Sequence, residues 1–598
     1  MITRLIIIMG TAGLVDSFSV GVSPCRRSSF IGNHGLILAD RLLLDGLHPS
    51  RRRSADPCRR LPSTATSSTS GSTLEYDIDS WSKGYEDADP EDQYLMEPSE
   101  GSIPEDIEGT WFRNGPAKFK IGNDLVKHPL DGDGMVMAIS FSKEGAYFRN
   151  RFVRTKGFVK ELEAGKQLYR GFSNLPGGLL NNAFRIGRKN VANTNVHFWG
   201  GNLLALWERG LPYLLDAKSL DTLGETKLGG TIDEKRPTFT AHPRIDVTNQ
   251  RLVGFGSHNM QEVTLYEYDM NFKLVQSRLM KDVKGLLHDF VVTDDYYVFY
   301  SGPVGLDPLK WVLGLETMGS AIKWEGQKRG ATVYVVPRDP SKTTKTIDIP
   351  AGFCLHLANG FQDPNTGELI LDVVESEFLS LDNKKGGGDE PVWENIDFSE
   401  EVPRNRLQRY CMDLSSPEGA LSSKTTLYNK FLDFPVVNPR VSCREHRYVW
   451  AACGRLESEE ACPVQGVVKI DTQTGIIENW LPSRHEFLSE CNFVPCKGAA
   501  ADAPEDSGYL ISVLVNGRDH RTEVLIFDAA KVSKGPVCRL PLKGFVGHTL
   551  HGSFASDLVH TPKQVEKSFA LTDLFGRKGW NVAKSEFSGL GLNSVLDD

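Results

Sequence analysis

The chain has 598 residues, with 68 Lys and Arg against 77 Asp and Glu and a formal net charge of −9. This length predicts several domains or one large fold built from repeats. The acidic balance argues against a nucleic-acid-binding protein, which would usually be basic. The chain has no run of 18 apolar residues, so no transmembrane helix is predicted. The 57 Gly and 31 Pro favour a β-rich fold, and the 10 scattered Cys are typical of reduced core residues.

Residues 1–72 differ in composition from the rest of the chain. They contain nine Arg and four Asp but no Lys or Glu, which leaves 59 basic against 73 acidic residues beyond them. The short apolar run Leu5–Leu14 is typical of a signal peptide, and the Arg-rich part is typical of an organellar transit peptide. Together they predict a two-part presequence for a plastid bounded by extra membranes, that is, a secondary plastid. The protein itself is then expected in the stroma or at a membrane surface. Mitochondrial targeting and a simple disordered tail are the alternatives.

The remainder divides into three predicted parts. Residues 73–97 are predicted to be a linker, residues 98–560 one β-rich domain, and residues 561–598 a C-terminal extension. Within the domain, short runs of Val, Ile, Tyr, Phe and Leu are separated by turn residues, which is the pattern of strands.

One strand–turn–strand pattern recurs along the domain. An apolar strand ends at an Asp, whose carboxylate can accept backbone N–H groups two residues on and so start a turn. The six Asp are 53 to 74 residues apart, and a seventh hairpin, Met137–Arg149, turns at Glu144-Gly145 instead. The Asp are Asp216, Asp269, Asp339, Asp413, Asp471 and Asp528. Seven such hairpins predict a β-propeller with long insertions, although such hairpins occur in other all-β proteins.

Helical periodicity is rare. The clearest case is Pro308–Ile322, where apolar residues recur at mixed spacings of three and four. Two further insertions, Asp382–Glu390 and Lys497–Ser507, are predicted to be exposed loops.

Four of the fourteen His lie in apolar, strand-like surroundings, where a polar ring needs a reason. They are His242, His288, His356 and His551. In a propeller they would fall in different blades, and because inner strands face one axis the rings could converge. Four imidazoles would suit a divalent ion, with Zn, Cu and Fe all open by ligand type. Taken singly, each His is more often a hydrogen-bonded core residue. No phosphate-binding loop or nucleophile elbow is present.

Several motifs in a fixed order resemble those of the carotenoid cleavage oxygenases, from about residue 98 to about residue 556. They are Gly101–Pro116, His128–Met135, Arg149–Thr155, Val191–Asn195, Leu203–Glu208 and the four His segments. The resemblance implies a seven-bladed β-propeller capped by a dome of helices and loops. It also implies one Fe(II) per chain, held by the four His.

The resemblance implies further roles for individual residues. Three acids, Glu208, Asp433 and Glu490, match those that hold ligand rings, and Asp433 is one methylene shorter than the commoner Glu. Thr194 matches a small residue near the open coordination position. Three aromatic residues beside the ligands are candidates for tunnel lining or for plain core: Phe290, Phe361 and Phe554.

The implied activity is cleavage of a C=C bond of a carotenoid or apocarotenoid by O₂, which gives two carbonyl products. Relatives of the same fold that cleave stilbene-type alkenes or isomerise and hydrolyse retinyl esters are the alternatives. A non-enzymatic scaffold is a third and weaker reading. An apolar tunnel suits a hydrocarbon substrate, and the segment Pro308–Ile322 is a candidate for peripheral membrane contact. The sequence leaves the substrate and the cleaved bond open.

Overall fold

The computed structural model describes residues 76–566, apart from 178–181, 185–186, 382–389, 395, 456–459 and 557. The predicted presequence, most of the C-terminal extension and most of the loop Asp382–Glu390 lie outside the described residues. Among the residues described, no helix is long and apolar enough to cross a membrane.

Seven antiparallel sheets of at least four strands form the blades of a propeller, as the sequence predicts. The innermost strands of neighbouring blades contact one another around a central axis. From the innermost strand outward, blade 2 consists of Asn195–Trp199, Asn202–Leu206, Tyr213–Leu215 and Thr222–Glu225. Blade 3 consists of Arg244–Asp246, Arg251–His258, Glu262–Tyr268 and Leu274–Met280. Blade 4 consists of Val291–Val292, Tyr296–Ser301, Ala331–Pro337 and Lys345–Ile349.

The next two blades follow the same order. Blade 5 consists of Phe353–Gln362, Leu369–Ser376, Asn405–Asp413 and Ala420–Tyr428. Blade 6 consists of Leu432–Val436, Tyr448–Cys453, Gly466–Asp471 and Ile477–Trp480.

Blades 7 and 1 close the ring with segments from both ends of the domain. Blade 7 has an interrupted inner strand, and it consists of Glu486–Leu488 with Asn492–Pro495, Gly508–Asn516, Arg521–Asp528, Pro536–Pro541 and Glu100–Gly101. Blade 1 consists of Gly552–Ala555, Gly109–Lys118, Asp133–Ser142, Gly145–Phe152 and Gln93–Met96. An early strand therefore forms the outer edge of blade 7, and a late strand forms the inner edge of blade 1.

The predicted boundary at residue 98 therefore lies inside the fold. Gln93–Met96 pairs with Gly145–Phe152 as the fifth strand of blade 1, and Tyr94 and Met96 are buried there. The segment expected to be a linker thus contributes to the propeller because its alternate apolar residues pack into the core.

All seven predicted hairpins connect the third and fourth strands of a blade. In blades 2 to 7 the Asp carboxylate accepts a hydrogen bond from the backbone N–H two residues on, at 2.8–3.1 Å. The turn chemistry inferred from the sequence is confirmed, and it marks the same corner of each of these blades.

The hydrophobic core consists of seven layers, one between each pair of neighbouring blades. The layer between blades 1 and 7 contains Trp111 and Ile526, and the layer between blades 6 and 7 contains Trp450 and Phe527. The other five layers also consist of buried aliphatic and aromatic side chains. Each blade is therefore stabilised mainly by its two neighbours.

The described helices are short, and all but two of them lie at the end of the propeller where the inner strands begin, where they and their connections form the predicted dome. The 3-10 helices Pro439–Val441 and Val532–Lys534 lie in connections at the opposite end. The α-helices are Ile78–Ser82, Lys156–Ala164, Pro308–Val312, Met318–Ala321 and Phe398–Glu401. The 3-10 helices are Lys83–Tyr85, Pro129–Asp131, Pro439–Val441 and Val532–Lys534. Two small hairpins complete the described elements, Lys120–Ile121 with Asp124–Leu125 and Val304–Leu306 with Ile322–Trp324.

The predicted helix Pro308–Ile322 is two short helices. Gly314 separates them with a φ of +74°, and a Cβ there would lie 2.7 Å from the backbone of Asn182. Thr317 then caps the second helix through Ser320 N–H. The periodic spacing is real, but a left-handed residue in close contact with the neighbouring loop interrupts the helix.

Candidate metal centre

The four singled-out His converge at the axis on the dome side. His242 and His288 come just before the inner strands of blades 3 and 4, His356 lies within that of blade 5, and His551 comes just before that of blade 1. One ring nitrogen from each lies within 4.8 Å of all the others. Three of the residues are buried, and the side chain of His288 is 16% exposed. The expectation that inner strands bring distant His together is therefore confirmed.

The nitrogens that face the centre fit a metal ion. Nε2 of His356 is buried and has no hydrogen-bond partner among the described residues. Nε2 of His242 and Nε2 of His288 lie 2.8 Å apart, a distance at which two imidazole nitrogens require a shared proton or cation. A buried polar atom without a partner is costly, so a bound divalent ion would account for both observations. Four neutral imidazoles suit a first-row transition metal.

Carboxylates contact three of the four rings on the opposite nitrogen. His356 Nδ1 lies 2.6 Å from Asp433, and His551 Nδ1 lies 2.8 Å from Glu490. His288 Nδ1 lies 3.5 Å from Glu208. Such contacts fix the tautomer and the orientation of a ligand ring. The structure therefore brings all three predicted acids to the rings.

The fourth ring is positioned differently. Among the described residues, no carboxylate contacts Nδ1 of His242. Its backbone N–H instead donates to Thr240 Oγ1 at 2.9 Å. The position of the His242 ring therefore depends on its backbone and on the neighbouring rings instead of on a carboxylate.

Glu490 is itself held by three donors that sequence reasoning missed. Its Oε2 accepts from Arg113 Nη1 at 2.6 Å, from Asn492 Nδ2 at 3.1 Å and from Gly552 N–H at 3.1 Å. Arg113 is completely buried and also donates to Thr549 Oγ1 at 2.8 Å. The signal available in the sequence is an Arg inside the apolar strand Trp-Phe-Arg-Asn-Gly-Pro, although its partner lies 377 residues away.

Two β-bulges and one break in the inner strands change the direction of three of these side chains. In blade 5, Cys354 and Leu357 are three residues apart but pair with positions two apart, so His356 lies in a bulge. The same irregularity follows Asp433 in blade 6. In blade 7 the inner strand is broken around Glu490, whose backbone carbonyl accepts from Ser512 Oγ at 2.9 Å. Bulges of this kind turn a side chain out of the regular alternation.

The pKa values follow from burial and these contacts. Burial and then the neighbouring rings lower the pKa of His242 well below its usual value. Burial works against protonation of His356 too, but Asp433 outweighs it and raises the pKa of that ring. Burial would raise the pKa of Glu208, yet His288 and Arg209 lower it to about 2. The ring of His242 is thus neutral, as a metal ligand must be.

The structure shows where two other residues near the cluster lie, Thr194 and His548. Thr194 is buried, and its carbonyl oxygen accepts from the backbone N–H of His551 at 3.2 Å. It therefore lies next to the cluster. His548 faces away, with Nε2 2.9 Å from the carbonyl oxygen of Trp81, as expected for a residue outside the ligand set.

The three predicted aromatic residues pack in the blade cores. Phe290 is completely buried in the layer between blades 3 and 4, and Phe554 packs against the layer between blades 7 and 1. Phe361 lies five residues beyond His356 and packs on His446, with ring centroids 5.6 Å apart. These contacts account for all three as core residues, and a tunnel-lining role stays a prediction.

An aromatic residue that the sequence analysis missed lies at the cluster. The ring centroid of Phe434 is 5.3 Å from those of both His356 and His551. Its φ is +56°, a region that bulky residues rarely adopt. The unusual backbone turns the ring toward the centre directly after Asp433.

Comparisons with known proteins agree with this geometry. The family model described as retinal pigment epithelial membrane protein (RPE65) matches residues 86–556. The apocarotenoid-15,15'-oxygenase of Synechocystis sp. is 35% identical over 507 residues, which cover 82% of this chain and 99% of the relative. The carotenoid cleavage dioxygenase 7, chloroplastic, of Arabidopsis thaliana is 27% identical over 542 residues, covering 77% and 88%.

A solved structure of a relative agrees with this chain in fold. The crystal structure of cobalt-substituted Synechocystis ACO is 33% identical, with a TM-score of 0.75, and the match covers 81% of this chain and 100% of that one. With the family model matched over most of the described propeller, the chain belongs to the RPE65 and carotenoid cleavage oxygenase family.

Proposed function

We propose that the protein is an Fe(II)-dependent dioxygenase that cleaves a C=C bond of a carotenoid or apocarotenoid. The observation that carries the proposal is the converging set of four His whose outer nitrogens are held by carboxylates. The metal would be held by His242, His288, His356 and His551. Bound Fe(II) supplies the activation of dioxygen, and the two oxygen atoms end in two carbonyl products.

The residues around the centre would keep the iron in one geometry. Asp433, Glu490 and Glu208 would hold three ligand rings, and Phe434 would fill the space beside His356 and His551. Thr194, next to His551, would restrict the access of dioxygen to the centre. These residues act on the metal centre, and the substrate would be bound by apolar contacts, since a polyene offers few hydrogen-bonding groups.

The activity test is direct. Purified protein with Fe(II), O₂ and a panel of C40 carotenoids and shorter apocarotenoids should give aldehyde or ketone products by mass spectrometry. Protein that holds one iron per chain and yields no carbonyl product from any polyene would exclude the dioxygenase. Stilbene-type alkenes in the same panel distinguish the related chemistry.

The ligand assignment needs a separate measurement. His356→Ala should lose stoichiometric iron, whereas His548→Gln should retain it because its side chain faces Trp81 instead of the centre. Iron retained at one per chain in His356→Ala would refute the assignment.

We also propose that the dome contacts a membrane from which a lipophilic substrate enters. Leu306, Leu309 and Leu315 are 43%, 56% and 54% exposed, and Phe184 beside them is 55% exposed. Phe184 N–H donates to the carbonyl oxygen of Val312 at 2.8 Å, which joins the two segments into one apolar surface. Exposed apolar side chains of this kind suit a membrane interface.

Liposome flotation tests this surface. Leu309→Ser combined with Leu315→Ser should release the protein from liposomes. The control is Ile476→Ser, which removes an equally exposed residue from a hairpin at the opposite end of the propeller. Equal flotation of the double variant and the wild type would exclude the dome as the contact.

The composition of residues 1–72 supports plastid targeting, and the Arabidopsis relative is named as chloroplastic. A fluorescent protein fused to residues 1–72 should enter plastids. Accumulation in mitochondria or in the cytosol would contradict this proposal.

A further inference from the structure

A cavity of about 70 Å³ lies beside the candidate metal centre. Trp207 and Arg209 line it, and they flank Glu208, whose carboxylate faces His288. Trp311 closes another side from the insertion of blade 4. The four His do not line the cavity, which lies on the side of the dome and approaches the histidine cluster through Glu208. We call it the arginine cavity.

The walls of the arginine cavity carry more positive than negative side chains. The charged residues that line it are four cations and two carboxylates: Arg170, Arg188, Lys189, Arg209, Asp131 and Glu161. A cavity for an unmodified hydrocarbon would need no cations. Lys189 is balanced by Glu161 and by Asp133 outside the lining, so the arginines are the cations available for a ligand with a negatively charged or strongly hydrogen-bond-accepting end.

Two of these cations already have hydrogen-bonded partners, and a third, Arg209, has only a neighbouring carboxylate in the described part of the chain. Lys189 Nζ lies 2.6 Å from Glu161 and 2.5 Å from Asp133. Arg170 Nη2 donates to the carbonyl oxygen of Trp311 at 2.6 Å. Arg209 lies beside Glu208, which raises the pKa of its guanidinium against the larger lowering by burial.

Arg188 differs from them. Among the described residues, its guanidinium has no hydrogen bond and no ion pair, and it lies 5.7 Å from the ring centroid of Trp311. Arg188 is exposed as a whole residue, although the cavity wall partly desolvates its guanidinium, and this desolvation, followed by the neighbouring Arg209, lowers its pKa to about 10. Since a guanidinium offers five donors in a planar fork that matches a carboxylate, Arg188 is equipped for a ligand it does not yet contact.

We propose that the arginine cavity binds the carboxylate end of an apocarotenoid substrate, with Arg188 as the residue that recognises it. This inference deepens the proposed function and rests on it for the polyene part of the ligand. The volume supports an unbranched end, because it corresponds to about two waters at roughly 30 Å³ each. A cyclic end group would not fit there, so it would lie at the other end of the substrate.

The test compares acid and methyl ester forms of the same polyene in the full chain. Binding is measured without oxygen, by ultrafiltration of the coloured ligand, so that it does not depend on cleavage. Wild type should bind the acid about tenfold or more tightly than the ester, the usual effect of a hydrogen bond to a charged group. Arg188→Gln should remove this preference while leaving affinity for the ester unchanged.

Two further variants control for packing and charge. Arg188→Lys should keep part of the preference, because it retains the charge and loses the fork. Arg521→Gln, an exposed site in blade 7, should keep all of it. Because the ratio of acid to ester is compared between variants, any difference in partition of the ligands into detergent cancels.

Two outcomes would overturn the proposal. Equal binding of acid and ester by wild type would exclude carboxylate recognition. Equal weakening of both forms in Arg188→Gln would mean that Arg188 acts only by packing on Trp311. Selective binding of the acid without any cleavage would support the arginine cavity while the dioxygenase proposal failed, so the two failures are distinguishable.

Discussion

The three carboxylates at the histidine cluster are held with different firmness. Glu490 has three donors besides His551, whereas Asp433 has the backbone N–H of Phe434 at 2.7 Å and Asn405 Nδ2 at 3.3 Å. Glu208 contacts its ring at the longest distance, 3.5 Å. Because the orientation of a ligand ring depends on its outer partner, we expect the ring of His288 to have the greatest freedom of the three.

The first prediction concerns Asp433. Asp433→Asn keeps the size of the side chain but removes the charge that holds His356, so the affinity for Fe(II) should fall about 10- to 100-fold. Anaerobic titration of metal-free protein with Fe(II) measures the change. Asp413→Asn, in an exposed turn, should leave the affinity unaltered, and an unaltered affinity in Asp433→Asn would mean that the contact is incidental.

The second prediction concerns Arg113, which is fully buried against Glu490. Arg113→Met leaves a buried carboxylate without its counter-charge, and the free energy of unfolding should fall by about 3–5 kcal/mol. Arg521→Met breaks an exposed pair with Asp519 and should change it by less than about 1 kcal/mol. Chemical denaturation distinguishes them, and equal small effects would show that Glu490 finds other partners.

At the scale of elements, the regular strands build the blades, and the irregular inner strands direct the functional side chains toward the axis. The inner strands of blades 5, 6 and 7 each carry a bulge or a break at the residue that faces the centre. A regular alternation would direct these side chains to fixed faces of the sheet. The irregularity turns His356, Asp433 and Glu490 toward the axis instead.

The hairpin corners allow a prediction at this scale. Asp269 accepts from the backbone N–H of Asn271 and of Lys273, both at 2.9 Å. Asp269→Ala removes the oxygen that accepts both hydrogen bonds and should lower the free energy of unfolding by about 1–2 kcal/mol. Asp269→Asn keeps an acceptor oxygen and should retain most of the stability. A stable Ala variant would show that the strand pairing of blade 3 alone fixes the turn.

The elements that sequence predicted well are those with a local cause. Each Asp-marked hairpin depends on hydrogen bonds within two to four residues, so the number of blades could be counted before the fold was known. The bulge at Glu490 depends on Ser512 and on the opposite strand, and the sequence near Glu490 carries no sign of it. The prediction of one helix over Pro308–Ile322 is wrong for the same reason. The left-handed conformation of Gly314 goes with a close contact to Asn182, which is distant in sequence.

The same distinction applies to the site. The four His were visible as polar rings in apolar strands, and family resemblance supplied their acids. Arg113, which lies 377 residues from its partner, and Phe434, whose φ is positive, required the folded chain. Long-range pairing and strained backbone have no local pattern from which they can be predicted.

At the scale of the whole molecule, the histidine cluster joins blades 1, 3, 4 and 5 at one point. Blades 3, 4 and 5 are neighbours that share hydrophobic layers, whereas blade 1 shares no layer with any of them. A bound metal ion would therefore link blade 1 to blades 3, 4 and 5 across the axis, and its binding would stabilise the ring as a unit.

The last prediction follows from this linkage. Fe(II) or Co(II) at about 100 times its dissociation constant should stabilise the metal-free protein by about 2.7 kcal/mol. Anaerobic thermal unfolding should show the increase in melting temperature, and chelation should reverse it. His356→Ala should show no metal-dependent increase, and an increase as large as that of the wild type would place the metal elsewhere.

The closure of the ring by both ends of the domain has a consequence for biosynthesis. His551 stands directly before Gly552–Ala555, the last strand of the propeller to leave the ribosome, and that strand pairs with Gly109–Lys118, one of the first. The other three His precede it by nearly 200 residues or more. A nascent chain therefore holds an incomplete set of four until its last propeller strand is made, so capture of a metal by all four His must follow synthesis of the propeller.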